Sequence, residues 1–192
     1  MIKPVSAVLV GAGNRGRDIY GNYALRHPDE LQFVAIAEPN SIRRMKFAES
    51  HRISPDRIFE SWEKMFTLEK MATSAIIATP DQLHTQPTIA ALEKGYHVLL
   101  EKPMATTPDE CLKLANTAEK SKKHLQIAHV LRYTSFFSSI KEIITKGMIG
   151  GIITIEHREN VSYYHMAHSF VRGNWRNSHE SSPMILAKCC HD

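Results

Sequence analysis

The sequence predicts an α/β fold in which a doubly wound parallel sheet is followed by the beginning of a second α/β domain. Two observations predict the sheet: short apolar runs alternate with segments of helical periodicity, and a glycine-rich loop follows the first run. Runs that are apolar at consecutive positions are typical of parallel strands covered on both faces. A third observation indicates the second domain: the given sequence ends within a helical pattern.

The predicted elements of the first domain alternate strictly between strand and helix. The candidate strands are residues 5–10, 32–38, 74–79, 97–103 and 125–133, and the main helical patterns are 41–50, 86–95 and 106–121. The last helix begins with Thr107, Pro108 and Glu110, which is the pattern of an N-terminal capping box. Gly95 stands where a glycine typically ends a helix. Strand–helix alternation of this kind indicates a parallel sheet with helices on its faces.

The pattern changes after residue 122, where we expect the second domain to begin. A helix is predicted over 135–150 and a strand with alternating polar and apolar residues over 151–160, whereas 163–183 has the composition of a loop. Residues 184–192 begin a further helical pattern. We therefore predict a complete domain in residues 1–122 and the opening of a second in residues 123–192.

The composition is that of a globular protein, with 43% hydrophobic and 23% charged residues, which suffices to bury a core. No apolar run approaches the ~18–20 residues of a membrane span, and the N-terminus lacks a signal-peptide cleavage site. The three cysteines form no disulfide framework, which favours a reducing compartment, so we expect a cytoplasmic protein without a membrane partner. The net charge of +4 is small and the bases lie beside acids, so we expect no nucleic-acid partner.

The glycine-rich loop, Gly-Ala-Gly-Asn-Arg-Gly, occupies residues 11–16 between a buried strand and a helix. In a dinucleotide-binding loop, Gly11 would permit the tight turn, Gly13 would let the backbone approach a pyrophosphate, and Gly16 would let the helix pack closely on the strand. The N-terminus of the following helix would attract the phosphates. The loop and its context therefore predict a dinucleotide site.

The choice between NAD and NADP depends on the end of the second strand. Glu38 lies there, 22 residues past Gly16. A carboxylate at this position accepts hydrogen bonds from the adenosine ribose and disfavours a 2′-phosphate, which favours NAD. Arg43 and Arg44 lie one helical turn further and could bind that phosphate, so NADP stays open as an alternative.

A second group of polar residues follows two further strands. Thr79 and Pro80 end one of them, and Glu101, Lys102 and Pro103 end the next. Ligands of open parallel sheets bind outside the carboxyl ends of the strands, so these residues should lie beside the cofactor. A lysine there can polarise a carbonyl group or share a proton with a hydroxyl group that is being oxidised.

Together these motifs resemble the glucose–fructose oxidoreductase / inositol dehydrogenase (Gfo/Idh/MocA) family. The resemblance covers the whole chain and is most specific from Ala78 to Thr107. It implies an N-terminal Rossmann domain, and a C-terminal α/β domain whose open, mostly antiparallel sheet often mediates oligomerisation. It also implies an NAD- or NADP-dependent dehydrogenase or reductase that acts on a sugar, a cyclitol or a related polyol. We accordingly expect a homo-oligomer where the second domain is complete.

The resemblance also implies catalytic roles. Lys102 matches a lysine that contacts the substrate and aids proton transfer. His191 matches the histidine that ends an Asp-x-x-x-His segment of the family, but Ala187 occupies the aspartate position and Lys188 follows it. We therefore expect Lys102, His191 and Lys188 to be catalytic. Two lysines near one substrate disfavour each other's charged form, which would make one of them a competent base.

The residues predicted to bind the cofactor come from both domains. They are Gly11, Gly13, Asn14, Arg15, Gly16, Glu38, Thr79, Pro80, His84, Glu101, Lys102, Arg132, Trp175 and Arg176. The Trp-Arg pair matches one that lies near the cofactor in several members of the family. We expect no metal, because adjacent cysteines at 189 and 190 point to different faces of a helix and no second pair has the spacing of a zinc site.

Two other functions stay open. The chain is short for this family, so it could be an inactive fragment or a nucleotide-binding module that holds the cofactor without turnover. Some members of the family use the cofactor transiently while they cleave a glycoside, so a cofactor-assisted glycosidase is the second alternative. The apolar residues 152–155 would favour self-association if they were left uncovered.

Overall fold

The structure is a computed structural model that describes residues 3–158, 160–173, 175–177 and 181. The chain forms two compact units, Met1–Ile127 and Ala128–Asp192. The last strand of the first unit lies beyond residue 122, where we expected the second domain to begin, because it pairs with the strand before it in the chain. No helix in the described ranges is long and apolar enough to cross a membrane.

The first unit is built on a six-stranded parallel sheet, which confirms the predicted doubly wound sheet. Its strands are β1 (Val5–Val10), β2 (Leu31–Ala37), β3 (Ile58–Phe59), β4 (Ser74–Ile77), β5 (His97–Leu100) and β6 (Leu125–Ile127). Their order in the sheet is β3-β2-β1-β4-β5-β6. The chain therefore reverses its direction across the sheet between β1 and β4, and in such folds the ligand crevice lies at this point.

Helices cover both faces of the sheet. They are α1 (Asn22–Arg26), which continues a π-helical segment (Asn14–Gly21), α2 (Ser41–Ser50), α3 (Trp62–Thr67), α4 (Thr85–Glu93) and α5 (Pro108–Ser121), and short 3₁₀ turns span Pro55–Arg57 and Asp81–Leu83. The Thr107 hydroxyl accepts a hydrogen bond from the backbone N–H of Glu110 at 3.3 Å, as the capping pattern predicted. Gly95 follows α4 with a φ of +88°, a left-handed conformation that favours glycine.

Apolar side chains fill the space on both sides of the sheet. Within β1, Val8 and Val10 belong to one buried cluster, whereas Ala7 and Leu9 belong to a second cluster on the opposite face. This division explains why the strands are apolar at consecutive positions. Met65, Leu92 and Leu114 join the first cluster from the helices, and Phe47 joins the second from α2.

The second unit differs from two of the predictions. Its helices are a 3₁₀ turn (Val130–Tyr133), α6 (Ser135–Thr145) and α7 (Tyr163–His165), which a π-helical segment (Met166–Val171) extends. The strand predicted over 151–160 is wrong, because residues 151–158 and 160 form none and Ile153 is 97% exposed. A strand needs a neighbour for its backbone hydrogen bonds, and no other strand occurs in the described part of this unit. The predicted loop over 163–183 begins with helical turns, and the helical pattern of 184–192 lies outside the described residues.

Candidate cofactor-binding site

The predicted site residues of the first unit lie at one edge of the sheet, where the parallel strands end. The glycine loop follows β1, Glu38 follows β2, Thr79 lies two residues beyond β4, and Glu101 and Lys102 follow β5. β1 and β4 are neighbours in the sheet and so are β4 and β5. The structure therefore brings the two sequence motifs to the same edge, on both sides of the position where the strand order reverses.

Two of the three loop glycines are required by the packing of the loop itself. Gly11 has a φ of +92°, and a Cβ atom added to it would lie 2.8 Å from the carbonyl oxygen of Ala78. A Cβ atom at Gly16 would lie 2.0 Å from the carbonyl oxygen of Gly11. At Gly13, by contrast, a Cβ atom would meet none of the described residues within 4 Å apart from its neighbours in the chain. The packing of the protein therefore does not account for the glycine at position 13.

Glu38 ties the glycine loop to the turn after β2. The residue is only 4% exposed, and its carboxylate accepts hydrogen bonds from the backbone N–H groups of Ala12 at 2.7 Å and Asn40 at 3.0 Å. Sequence reasoning assigned this carboxylate to the ribose and missed its bond to the loop. The two roles are compatible, because each carboxylate oxygen has a second lone pair.

The two arginines beyond Glu38 have different surroundings. The guanidinium of Arg44 donates to the carbonyl oxygens of Glu38 at 2.6 Å and Pro39 at 3.1 Å. The side chain of Arg43 is exposed, and its backbone N–H is capped by the side-chain oxygen of Asn40 at 3.0 Å. The structure therefore fixes one positive charge at the end of β2 and leaves the other at the surface.

Glu101 is a second buried carboxylate and bonds to the segment that follows the glycine loop. It is 7% exposed and accepts a hydrogen bond from the Tyr20 hydroxyl at 2.7 Å, while the guanidinium of Arg15 lies 3.9 Å away. Burial, followed by the charge of Glu101, raises the pKa of Tyr20 well above its usual range, so the phenol stays protonated and donates. The sequence analysis missed Tyr20. Its position four residues after Gly16, on the helix that the loop begins, was the available signal.

Lys102 and His84 are held by the turns that follow β5 and β4. Lys102 is half-buried, its backbone N–H donates to the Glu101 carboxylate at 3.3 Å, and its peptide bond to Pro103 is cis. The ring of His84 lies within hydrogen-bond distance of two carbonyl oxygens, those of Pro103 at 2.7 Å and Thr79 at 2.9 Å. His84 was predicted to contact the cofactor, but in the structure both of its ring nitrogens contact the protein backbone.

The remaining predicted residues belong to the second unit. Arg132 is exposed in the 3₁₀ turn, and the Trp175 ring packs against Phe170 with centroids 6.2 Å apart. Arg176 is exposed, and its backbone N–H donates to the carbonyl oxygen of Gly173 at 3.3 Å. The predicted catalytic residues Lys188 and His191, together with Ala187, lie outside the described residues, so their roles stay predictions.

Comparison with known proteins gives a consistent result for the first unit. The model of the Gfo/Idh/MocA family, described as an oxidoreductase family with an NAD-binding Rossmann fold, matches residues 5–129. D-glucoside 3-dehydrogenase of Escherichia coli (strain K12) is 26% identical over 149 residues, which are 78% of this chain and 41% of that protein. Alpha-N-acetylgalactosaminidase of Bacteroides fragilis is 28% identical over 156 residues, which are 79% of this chain and 36% of that protein.

Solved structures agree with these sequence matches. An oxidoreductase from Pseudomonas syringae superimposes with a TM-score of 0.69 at 25% identity, covering 78% of this chain and 43% of that one. The WlbA dehydrogenase from Chromobacterium violaceum, crystallised with NADH and UDP-GlcNAcA, gives a TM-score of 0.70 at 25% identity, with 78% and 44% covered. The chain thus spans about two fifths of the length of the two named curated relatives.

Proposed function

Because the chain belongs to the Gfo/Idh/MocA family of oxidoreductases, whose N-terminal domain is an NAD-binding Rossmann fold, we propose that it transfers a hydride between NAD and a carbon of a sugar, a cyclitol or a related polyhydroxylated small molecule. One observation carries this proposal. Lys102 lies two residues beyond β5, and the carboxylate of Glu101 before it accepts a hydrogen bond from Tyr20, on the helix that the glycine loop begins. A group able to exchange protons is thereby linked to the dinucleotide loop.

The residues at the edge of the sheet fit NAD, which when bound supplies the hydride acceptor or donor. Gly13 offers a backbone that the pyrophosphate can approach, since apart from its chain neighbours no described residue lies within 4 Å of where its Cβ would be. Glu38 stands at the end of β2, where a carboxylate can accept from the ribose hydroxyls. We infer a preference for NAD over NADP from this carboxylate, and Arg43 and Arg44, one helical turn further, are the residues that would bind a 2′-phosphate in the alternative.

Lys102 would handle the proton that accompanies the hydride. Its amine would take the proton from the substrate hydroxyl during oxidation, or give it to the carbonyl oxygen during reduction. The carboxylate of Glu101 would hold the backbone of this turn in place, because it accepts from the N–H of Lys102 and from Tyr20. We further propose that His191 or Lys188 shares the proton with Lys102 from the second unit.

The substrate class is inferred from relatives that act on sugar-like compounds. One is named as a D-glucoside 3-dehydrogenase, and another was crystallised with NADH and the nucleotide sugar UDP-GlcNAcA. Both are similar to this chain over about 78% of its length. We propose a polyhydroxylated substrate on this basis.

A second candidate function is supported by one of the matches. The Bacteroides fragilis relative is named as a glycosidase, and its identity of 28% equals or exceeds that of the dehydrogenases. A cofactor-assisted glycosidase would release the aglycone of a nitrophenyl glycoside without net formation of NADH. A dehydrogenase would form NADH in proportion to the oxidised sugar, so one spectrophotometric assay separates the two.

The test of the main proposal has two stages. Fluorescence titrations of the whole chain with NADH and NADPH measure binding, and we expect saturation at a lower concentration of NADH. A panel of sugars and cyclitols is then assayed for NADH formation with the wild type, Lys102→Ala and the control Lys113→Ala. Lys113 is exposed on α5, so its removal should leave turnover unchanged.

Each outcome discriminates between the candidates. Loss of turnover in Lys102→Ala alone, typically ~10²-fold or more for a general acid–base group, would support the proposed role. Normal turnover in this variant would show that another group moves the proton. Saturable NADH binding without turnover of any compound would favour the module that binds the nucleotide without catalysis.

A further inference from the structure

Both nitrogens of the His84 ring face backbone carbonyl groups. His84 lies directly before α4 and is 1% exposed, so bulk solvent does not compete for its contacts. The distance from Nδ1 to the carbonyl oxygen of Pro103 is 2.7 Å, and that from Nε2 to the carbonyl oxygen of Thr79 is 2.9 Å. Both values are typical of N–H···O hydrogen bonds.

The nature of these two partners determines the protonation state of the ring. A carbonyl oxygen only accepts hydrogen bonds, whereas a neutral imidazole has one donor and one acceptor nitrogen. In a neutral ring, one nitrogen would therefore direct its lone pair at a carbonyl oxygen less than 3 Å away. Only a ring that is protonated on both nitrogens donates to both carbonyl groups.

The two carbonyl groups belong to two loops of the candidate site. Thr79 follows Ala78, whose carbonyl oxygen lies against Gly11 of the glycine loop. Pro103 follows Lys102, the proposed proton-transfer residue. The ring therefore connects the loop that supports the glycine turn to the turn that carries the lysine.

We propose that His84 is a positioning residue whose ring, protonated on both nitrogens, holds the Lys102–Pro103 turn against the Thr79 loop. The proposal rests on the proposed function, because Lys102 is the group whose placement the ring would set. His84 acts through this turn and not by contact with the substrate.

Charged groups in the adjoining turns are consistent with a positive ring. Asp81 begins the 3₁₀ turn that precedes His84, and Glu101 lies directly before Lys102; both are buried. Glu101 accepts hydrogen bonds from Tyr20 and from the backbone of Lys102. Burial by itself disfavours a charged imidazole, so the two carbonyl contacts have to outweigh that cost. Asp81, three residues before His84, is the buried carboxylate nearest to it in the sequence, whereas Glu101 also has the Arg15 guanidinium 3.9 Å away.

The protonation state can be measured directly on the whole chain labelled with ¹⁵N at histidine. Long-range ¹H–¹⁵N spectra distinguish protonated from unprotonated ring nitrogens, and His84→Phe identifies the signals of this residue. We expect both nitrogens of His84 to be protonated at neutral pH. His51 is the internal reference, because burial lowers its pKa to about 4 and one of its nitrogens should be unprotonated. An unprotonated nitrogen at His84 would overturn the proposal.

The positioning role is tested through the reactivity of Lys102. Acetic anhydride labels lysine amines, and mass spectrometry reads Lys102 and the exposed Lys113 in the same sample. His84→Phe keeps a ring of similar size but removes both donors. We expect this variant to raise the labelling rate of Lys102 about fivefold, because the loss of one typical hydrogen bond shifts a local equilibrium by that factor. His84→Gln retains an amide donor and should restore most of the wild-type rate.

The controls separate positioning from general loosening. His51→Phe removes a half-buried ring that contacts Phe33 and Phe47, so it should leave the Lys102 rate unchanged. An unchanged Lys102 rate in His84→Phe, or an equal rise for Lys113, would overturn the positioning role. Neither the spectra nor the labelling requires NADH, so failure of the chain to bind the cofactor would contradict the proposed function without affecting these results.

Discussion

Replacing Gly13 with alanine separates the packing of the glycine loop from its proposed binding of pyrophosphate. Gly13 has a φ of −70° and a ψ of −165°, an extended conformation that any residue can adopt. A Cβ atom at this position would meet, among the described residues, nothing within 4 Å except its neighbours in the chain. Gly13→Ala should therefore leave the protein at least as stable as the wild type. The expected gain in the free energy of unfolding is up to ~1 kcal/mol, because alanine restricts the unfolded chain.

The same methyl group should weaken nucleotide binding. In the proposed site, the pyrophosphate approaches the backbone at Gly13 closely enough to exclude a side chain. We expect the Kd for NADH to rise at least ~10-fold, which corresponds to a loss of ~1.4 kcal/mol of binding free energy. Fluorescence titration measures the Kd, and urea denaturation followed by circular dichroism measures the stability.

Gly16→Ala is the matched control from the same loop. Its Cβ atom would lie 2.0 Å from the carbonyl oxygen of Gly11, a backbone atom that has to move. Overpacking of this kind typically costs ~1–3 kcal/mol of stability, so Gly16→Ala should be destabilised whether or not NADH is present. Wild-type affinity of Gly13→Ala for NADH would refute the pyrophosphate site, and equal destabilisation of the two variants would refute the packing argument.

Three further predictions concern single side chains. Tyr20→Phe removes a donor to the buried Glu101 and should reduce the free energy of unfolding by ~1–2 kcal/mol in urea titrations, since hydrogen bonds to charged groups are stronger than neutral ones. An equal loss of stability in Tyr23→Phe, whose hydroxyl donates to an exposed carboxylate, would argue against this. Glu38→Ala removes the acceptor of two backbone N–H groups and should cost ~1–3 kcal/mol of stability while lowering the NADH preference over NADPH in paired titrations. Burial lowers the pKa of His51 to about 4, so the unfolded chain binds a proton below pH ~6.5 that the folded chain does not, and stability falls as the pH drops towards 4. His51→Phe should reduce this acid-induced loss by ~1–2 kcal/mol, a value reduced for solvent screening of a half-exposed ring, and identical urea midpoints against pH for variant and wild type would contradict it.

The sequence was sufficient to predict the parallel sheet because its strands are buried on both faces. Such strands are apolar at consecutive positions, as in β1, where Val8 and Leu9 lie in opposite clusters. β3 could not be found in this way, since it comprises only Ile58 and Phe59. The predicted ends of β4 and β5 were too late by two or three residues, because the residues beyond Ile77 and Leu100 turn into the loops that carry the site.

The strand predicted over 151–160 failed for a physical reason. Alternation of polar and apolar residues predicts which side chains would share a face of a strand. A strand also requires a neighbouring strand that forms hydrogen bonds with its backbone N–H and carbonyl groups. The described part of the second unit contains no such neighbour, and Ile153 and Ile155 are exposed. Local periodicity therefore could not decide the structure of this segment.

Residues that belong to motifs could be assigned to the candidate site from the sequence, whereas residues that contact the site from distant parts of the chain could not. Gly11, Glu38 and Lys102 were identified from spacing and from their position after strands. Tyr20 and Glu101 lie 81 residues apart in the sequence, and only the sheet order brings them together. The double contact of His84 was equally invisible, since a histidine in a loop carries no sequence signal for two carbonyl partners.

These contacts suggest how binding and catalysis are divided along the chain. Glu38, at the end of β2, bonds to Ala12 of the glycine loop, and Glu101, at the end of β5, bonds to Tyr20 beyond it. The segment after β1 thus bonds to two buried carboxylates, one from a strand on each side of β1 in the sheet. All of these bonds lie within Met1–Ile127, which is also where nearly all of the family match lies. NADH binding should therefore survive substitution of Lys188 and His191, whereas turnover should not, because these two residues are the proposed partners of Lys102. A variant with both partners changed to alanine that kept full turnover would place the whole proton transfer in the first unit.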